Sequence, residues 1–219
     1  SQCMGHNIHI VGLDFDLNNE ALQQFIANQK SIRVQRAQLI DARLKAINMP
    51  GILAKAQELF GDIDIGRPHI AQAMCDLGYV KNIKQAFAKH LGNGKLGDIK
   101  SLWPDMAEAI AVINAANGVA VLAHPLKYKM TTSKRRRLLA AFAEACGQAI
   151  EIGGHGDTLD KREMLKKQAL EFSLALSAGS DFHSPEWAYA KIGHVPELPD
   201  THKKVWQLFK NTIITGDNG

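Results

Sequence analysis

Three short apolar segments separated by two amphipathic ones most constrain the fold open to this chain. "GVAVLAHP" (Gly118 to Pro125), "QAIEIGG" (Gln148 to Gly154) and "SLALSAGSDFH" (Ser173 to His183) are each a brief apolar run closed by polar or turn-forming residues. Runs of that length bounded by glycine and proline read as buried strands. Between them the spacing of apolar positions predicts helices from about Ser133 to Cys146 and from Thr158 to Phe172. Parallel strands need a long crossover, usually a helix, so strand, helix, strand, helix, strand is the pattern of an α/β sheet or barrel.

Upstream, the character changes. "NIHIVGLDF" (7 to 15) reads as one more strand, but the stretch from about Glu20 to Asn117 is helical in pattern, broken at "NMPG", "DIGRP" and "LGNGKLG". The expected organisation is a sheet portion made of 1–19 and 118–219, with 20–117 as an inserted helical subdomain. A chain of 219 residues, 46% hydrophobic, can bury a core for this. No apolar run approaches the roughly 20 residues of a membrane span, so no membrane partner is expected. Cys3, Cys75 and Cys146 are odd in number and form no CxxC pair, which favours a reducing cytoplasm over a disulfide framework. A formal net charge of +4 permits an anionic substrate.

Polar residues gather where the strands end. His124 closes "VAVLAH" ahead of Pro125, whose fixed φ and missing N–H stop the sheet. Asp181 and His183 close the third strand, and because side chains alternate along a strand both are expected to point to one face, with Phe182 turned away. Ligands of parallel α/β folds bind at the carboxyl ends of strands. His9 alternates against Ile8 and Ile10, although it lies near the start of its strand rather than its end. Imidazole and carboxylate together suit zinc, iron or manganese.

In this order, "HNIHIVGL", "GRPHIAQAM", "GVAVLAHP" and "GSDFH" resemble the PHP (polymerase and histidinol phosphatase) family of metal-dependent phosphoesterases, and most of all its TrpH-like branch of 3′,5′-nucleotide bisphosphatases and 5′-to-3′ exoribonucleases. The resemblance runs from His6 to about Leu198. It implies a distorted TIM-like barrel holding divalent metal ions, manganese foremost with zinc or iron as alternatives. It assigns metal-ligand roles to His9, His124, Asp181 and His183. The family's opening His-x-His strand, its "TDHD"-like segment and a glutamate before "HIVGL" do not occur here. The expectation is therefore a fragment of a longer protein, its barrel incomplete at the N-terminal side. Such a fragment would be inactive alone, with the missing segment or a second copy covering an open sheet edge.

The helical block has its own chemistry. Through "KSIRVQRAQLIDARLKAI", Ala37, Ile40, Leu44 and Ile47 form an apolar stripe, and Arg33 falls inside it with Arg36 flanking. Guanidinium groups grip phosphate as a planar fork, while a snorkelling arginine or an internal salt bridge is the plainer reading. In "DIGRPHIAQAM", Pro68 suits a first helical position, placing Arg67 at the cap and His69 in the first turn, where anions are favoured. By resemblance, Arg33, Arg36, Arg67 and His69 would bind substrate phosphate. "KRRR" (134 to 137) reads as a solvated helix face. The implied reaction is attack on a nucleotide or RNA phosphate ester by a metal-bound hydroxide, with no nucleophilic side chain and no DNA-specific binding. A small-metabolite phosphatase such as a histidinol phosphatase, or a non-catalytic anion-binding fragment, are the alternatives.

Overall fold

The computed structural model describes residues 1–99, 102–153, 157–182 and 191–211. They form two compact units, Ser1–Gln23 with Pro104–Gly219, and Gln24–Trp103. In chain order the elements are β1 (Gln2–Cys3), β2 (His6–Asn7), β3 (Ile10–Leu13), α1 (Glu20–Lys45), α2 (Ile52–Phe60), α3 (Arg67–Asp76), α4 (Ile83–Ala86), α5 (Met106–Ala115), β4 (Val119–Leu122), α6 (Thr132–Glu144), β5 (Ala149–Gly153), α7 (Leu159–Glu171) and β6 (Ala175–Gly179). Among the described residues no helix is long and apolar enough to cross a membrane.

The first unit is a mixed α/β layer structure. Its sheet has the order β3-β4-β5-β6, with β4, β5 and β6 parallel, as the βαβ pattern requires. Its core joins Leu122, Ile150, Ile152 and Leu176 of the strands to Leu138, Leu139 and Phe142 of α6 and Leu165 and Ala169 of α7. Both helices start at a threonine, Thr131 before α6 and Thr158 before α7, whose hydroxyl accepts the free N–H of Lys134 or Lys161. Gly147 lets the chain turn tightly against α6: a Cβ there would fall 2.3 Å from the Phe142 ring.

The structure settles one point that the sequence left open and changes two expectations. β3 runs antiparallel to β4, pairing Ile10 with Leu122 and Leu13 with Val119. The helix α5, at the end of the block read as one helical insert, packs on this sheet through Met106, Ile110 and Ile113, so the sheet unit resumes at Pro104 rather than at Gly118. β6 ends at Gly179, and the side-chain alternation expected to carry on through Asp181 stops with it.

The second unit is helical, and its core is formed by Ala37, Ile40 and Leu44 of α1, Ile52 and Ala56 of α2, and Ile70, Ala73 and Met74 of α3. The stripe foreseen on α1 is therefore the buried one, except that Ile47 is 39% exposed beyond the helix end.

Candidate active site at the carboxyl ends of the strands

The antiparallel pairing of β3 explains how a residue at a strand's start reaches the same rim as residues at strand ends. The start of β3 lies beside the finish of β4, and the Ala123 N–H donates to the His9 carbonyl at 3.0 Å. The two imidazoles meet there, His9 Nδ1 to His124 Nε2 at 3.1 Å, with ring planes 79° apart. The Tyr128 hydroxyl accepts from the His9 N–H and donates to the Ala123 carbonyl, both at 2.9 Å. Burial, with Glu151 and Asp181 near, pushes the phenol pKa far up, so it stays a hydroxyl donor.

The backbone is left-handed at both of these strand ends. His124 has φ +32° and Asp181 has φ +50°, in the left-handed region that costs non-glycine residues about 1–3 kcal/mol. For His124 the following proline restricts the backbone further. Six other described non-glycine residues, Met4, Asp14, Asn48, Asn117, Cys146 and Ser173, also have positive φ, so the conformation alone does not single out these two.

Glu151 joins them and was not foreseen from the sequence. It stands in the middle of the otherwise apolar β5, and its Oε1 is buried with no hydrogen-bond partner. Gly179 across the ladder leaves room for the carboxylate, since a Cβ at that position would lie 2.7 Å from Glu151 Oε2. Burial raises the Glu151 pKa and the Asp181 charge adds to this, while the His124 imidazole and backbone amide pull the other way. The available signal was the residue itself: a carboxylate inside an apolar parallel strand needs a cation or a proton. His124 Nδ1 is likewise buried without a partner.

Two imidazoles and two carboxylates, with orphaned polar atoms on His124 and Glu151, match a divalent cation in donor chemistry. Among the described residues, however, no group of three or more such side chains already converges closely enough to hold an ion. His183 lies outside the described residues.

The substrate-binding residues foreseen from the sequence all lie in the helical unit. Arg33 is exposed rather than core-facing and pairs with Asp64 at 3.2 Å. Arg36 is half-buried with its guanidinium 4.8 Å above the Trp103 ring, and its Nε is buried without a partner. Burial lowers the Arg36 pKa, as do the neighbouring charges of Arg67 and Arg33, against the opposing pull of Asp98. Arg67 Nη1 donates to the Leu91 carbonyl at 3.0 Å. The cap of α3 is Gly66 rather than Arg67, and His69 Nδ1 accepts the Gly66 N–H at 3.0 Å, which leaves only Nε2 for a ligand. In the sheet unit, "KRRR" is not wholly a solvated face. Arg135 is 6% exposed and donates Nε to the Pro125 carbonyl, while Arg136 pairs with Glu171.

No family model matches the chain. It is 38% identical over 205 residues to a 5′-3′ exoribonuclease of Haemophilus influenzae, covering 94% of this chain and 74% of that one. It is 32% identical over 210 residues to a 3′,5′-nucleoside bisphosphate phosphatase of Chromobacterium violaceum, covering 95% and 74%. Among solved structures it is similar to an amidohydrolase from Chromobacterium violaceum with bound sulfate and no metal, at a TM-score of 0.80 and 33% identity over 94% of this chain and 72% of that one.

Proposed function

The chain belongs to the PHP family of phosphoesterases, and on that footing we propose that it is a hydrolase acting with divalent metal ions on nucleotide 3′,5′-bisphosphates or on the 5′ ends of short RNAs. The observation that carries this reading is similarity, along nearly the whole chain, to relatives of both activities. The rim of histidines and carboxylates supports it independently, because phosphoester hydrolysis needs a place where positive charge can meet phosphate oxygens. On this reading the four-stranded sheet is part of a distorted barrel, with the helical unit inserted into it.

His9, His124, Asp181 and His183 would hold the ions, with Glu151 as a further carboxylate. Manganese is the first expectation, zinc or iron the next. Bound divalent ions supply charge neutralisation at phosphate and a water made acidic enough to react near neutral pH. The chain's own part is to keep the donors in place. The Tyr128 hydroxyl fixes the backbone beside both histidines. Arg36 and Arg67, two guanidinium groups kept close despite mutual repulsion, form an anion-binding pair in the helical unit, joined by Arg33 and by Nε2 of His69. Their assigned ligand is a substrate phosphate.

The test is a substrate panel with Mn²⁺ on the protein in its full length: adenosine 3′,5′-bisphosphate, a short 5′-phosphorylated RNA and histidinol phosphate, followed by phosphate and nucleotide release. Turnover of the first two, with histidinol phosphate at least about 100-fold poorer in kcat/KM, is the expected result. The reverse order would overturn the proposal in favour of a small-metabolite phosphatase.

A further inference from the structure

Between the end of β4 and the start of α6 the chain makes a turn that carries His124, and one side chain ties this turn to the neighbouring strand. Tyr128 returns over the turn so that its hydroxyl lies between two backbone groups: the N–H of His9 and the carbonyl of Ala123, each at 2.9 Å. One anchor is the first histidine itself, and the other is the residue immediately before the second. The bond between them, from Ala123 N–H to His9 carbonyl at 3.0 Å, extends the β3–β4 ladder past its last paired residues. Beyond it the two chains are free to separate unless something bridges them. The Tyr128 ring also meets the His124 ring edge-on, with centroids 5.5 Å apart.

A second contact holds the same turn from behind. Arg135, 6% exposed on α6, donates Nε to the Pro125 carbonyl at 3.3 Å and lies within electrostatic reach of Asp157. The segment from Ala123 to Tyr128 is therefore fixed on its strand side by a hydroxyl and on its helix side by a guanidinium. A histidine at φ +32° ahead of a proline does not keep that conformation unaided.

We propose that Tyr128 is a positioning residue that clamps the ends of β3 and β4 together, with Arg135 backing the turn, and so sets the mutual placement of His9 and His124. In its bearing on metal this rests on the function proposed above. Neither residue needs to touch substrate. Outer contacts of this kind are worth about 10- to 100-fold in metal affinity when removed.

Tyr128→Phe tests the clamp, because it keeps the ring packed on His124 and removes only the bridging hydroxyl. Tyr79→Phe is the matched control: its hydroxyl donates to the Pro50 carbonyl at 2.9 Å in the helical unit. Three readouts are needed: hydrogen exchange of the His9 amide without metal, the contact between the His9 and His124 rings by NMR, and Mn²⁺ affinity by EPR. In Tyr128→Phe the His9 amide is expected to exchange at least about tenfold faster, the ring contact to weaken, and Mn²⁺ to bind about 10- to 100-fold more weakly. Thermal midpoints of the two variants should stay within a few degrees of each other. Equal amide exchange, ring contact and affinity in the two variants would overturn the clamp. If the unaltered protein takes up no Mn²⁺, the proposed function fails, while the metal-free amide and ring measurements still decide the positioning role.

Discussion

Burial and the nearby Asp181 both disfavour the ionised form of Glu151, so its folded pKa lies above its unfolded value. The native state then holds more protons than the unfolded one between those two values. Stability contributed here is present at low pH and falls as pH rises through that window. Glu151→Gln removes the charge with little change of shape. Freed of metal, this variant is expected to melt higher than the unaltered protein at neutral pH and to match it near pH 3, as thermal scans across pH would record. Adding Mn²⁺ should reverse the neutral-pH order, since a cation is what the carboxylate lacks. A difference that ignores both pH and metal would remove Glu151 from the site. The strand-end histidine and aspartate were legible in the sequence because they interrupt apolar runs beside glycine or proline. Glu151 was not, because a single carboxylate inside "AIEIG" was absorbed into the apolar run around it. The alternation foreseen at Asp181 failed for a local reason: φ +50° ends the extended geometry on which alternation depends.

Among the elements, the three parallel strands and the two crossover helices emerged within a few residues of their predicted bounds, because apolar runs bounded by glycine or proline mark the strands and apolar spacing marks the helices. Strand direction has no such mark. The period of "IHIVGL" is the same whichever way the strand runs, so only the structure shows that β3 is antiparallel and that His9 therefore stands at the shared rim. The affiliation of α5 was hidden for a similar reason: an amphipathic face shows that a helix packs, but not against what. At α3 the sequence signal "GRPH" was right about a helix start and one residue off about its cap. His69→Ala removes the Nδ1 acceptor and should cost about 1 kcal/mol, a drop of roughly 2–4 °C in midpoint for a chain of this size. His69→Asn, which can offer Oδ1 to the same N–H, is expected to recover most of that loss. If neither substitution shifts the midpoint, the cap contributes nothing and His69 is free for another role.

At the scale of the whole molecule, the sheet unit supplies imidazole and carboxylate donors, and the helical unit supplies a cluster of guanidinium groups. On the proposed function, the first set would hold divalent cations and the second would bind anions. The central claim is that the rim at the ends of β4, β5 and β6 is where the reaction takes place. Asp181→Asn addresses it most directly, because asparagine tolerates the left-handed backbone and removes only the charge. Asp181 is exposed, so the change should leave the thermal midpoint within about a degree or two. The measurement, on the protein in its full length, is kcat/KM for phosphate release from adenosine 3′,5′-bisphosphate at saturating Mn²⁺. A loss of about 100-fold or more with folding intact is the expected result, and activity close to that of the unaltered protein would contradict the claim.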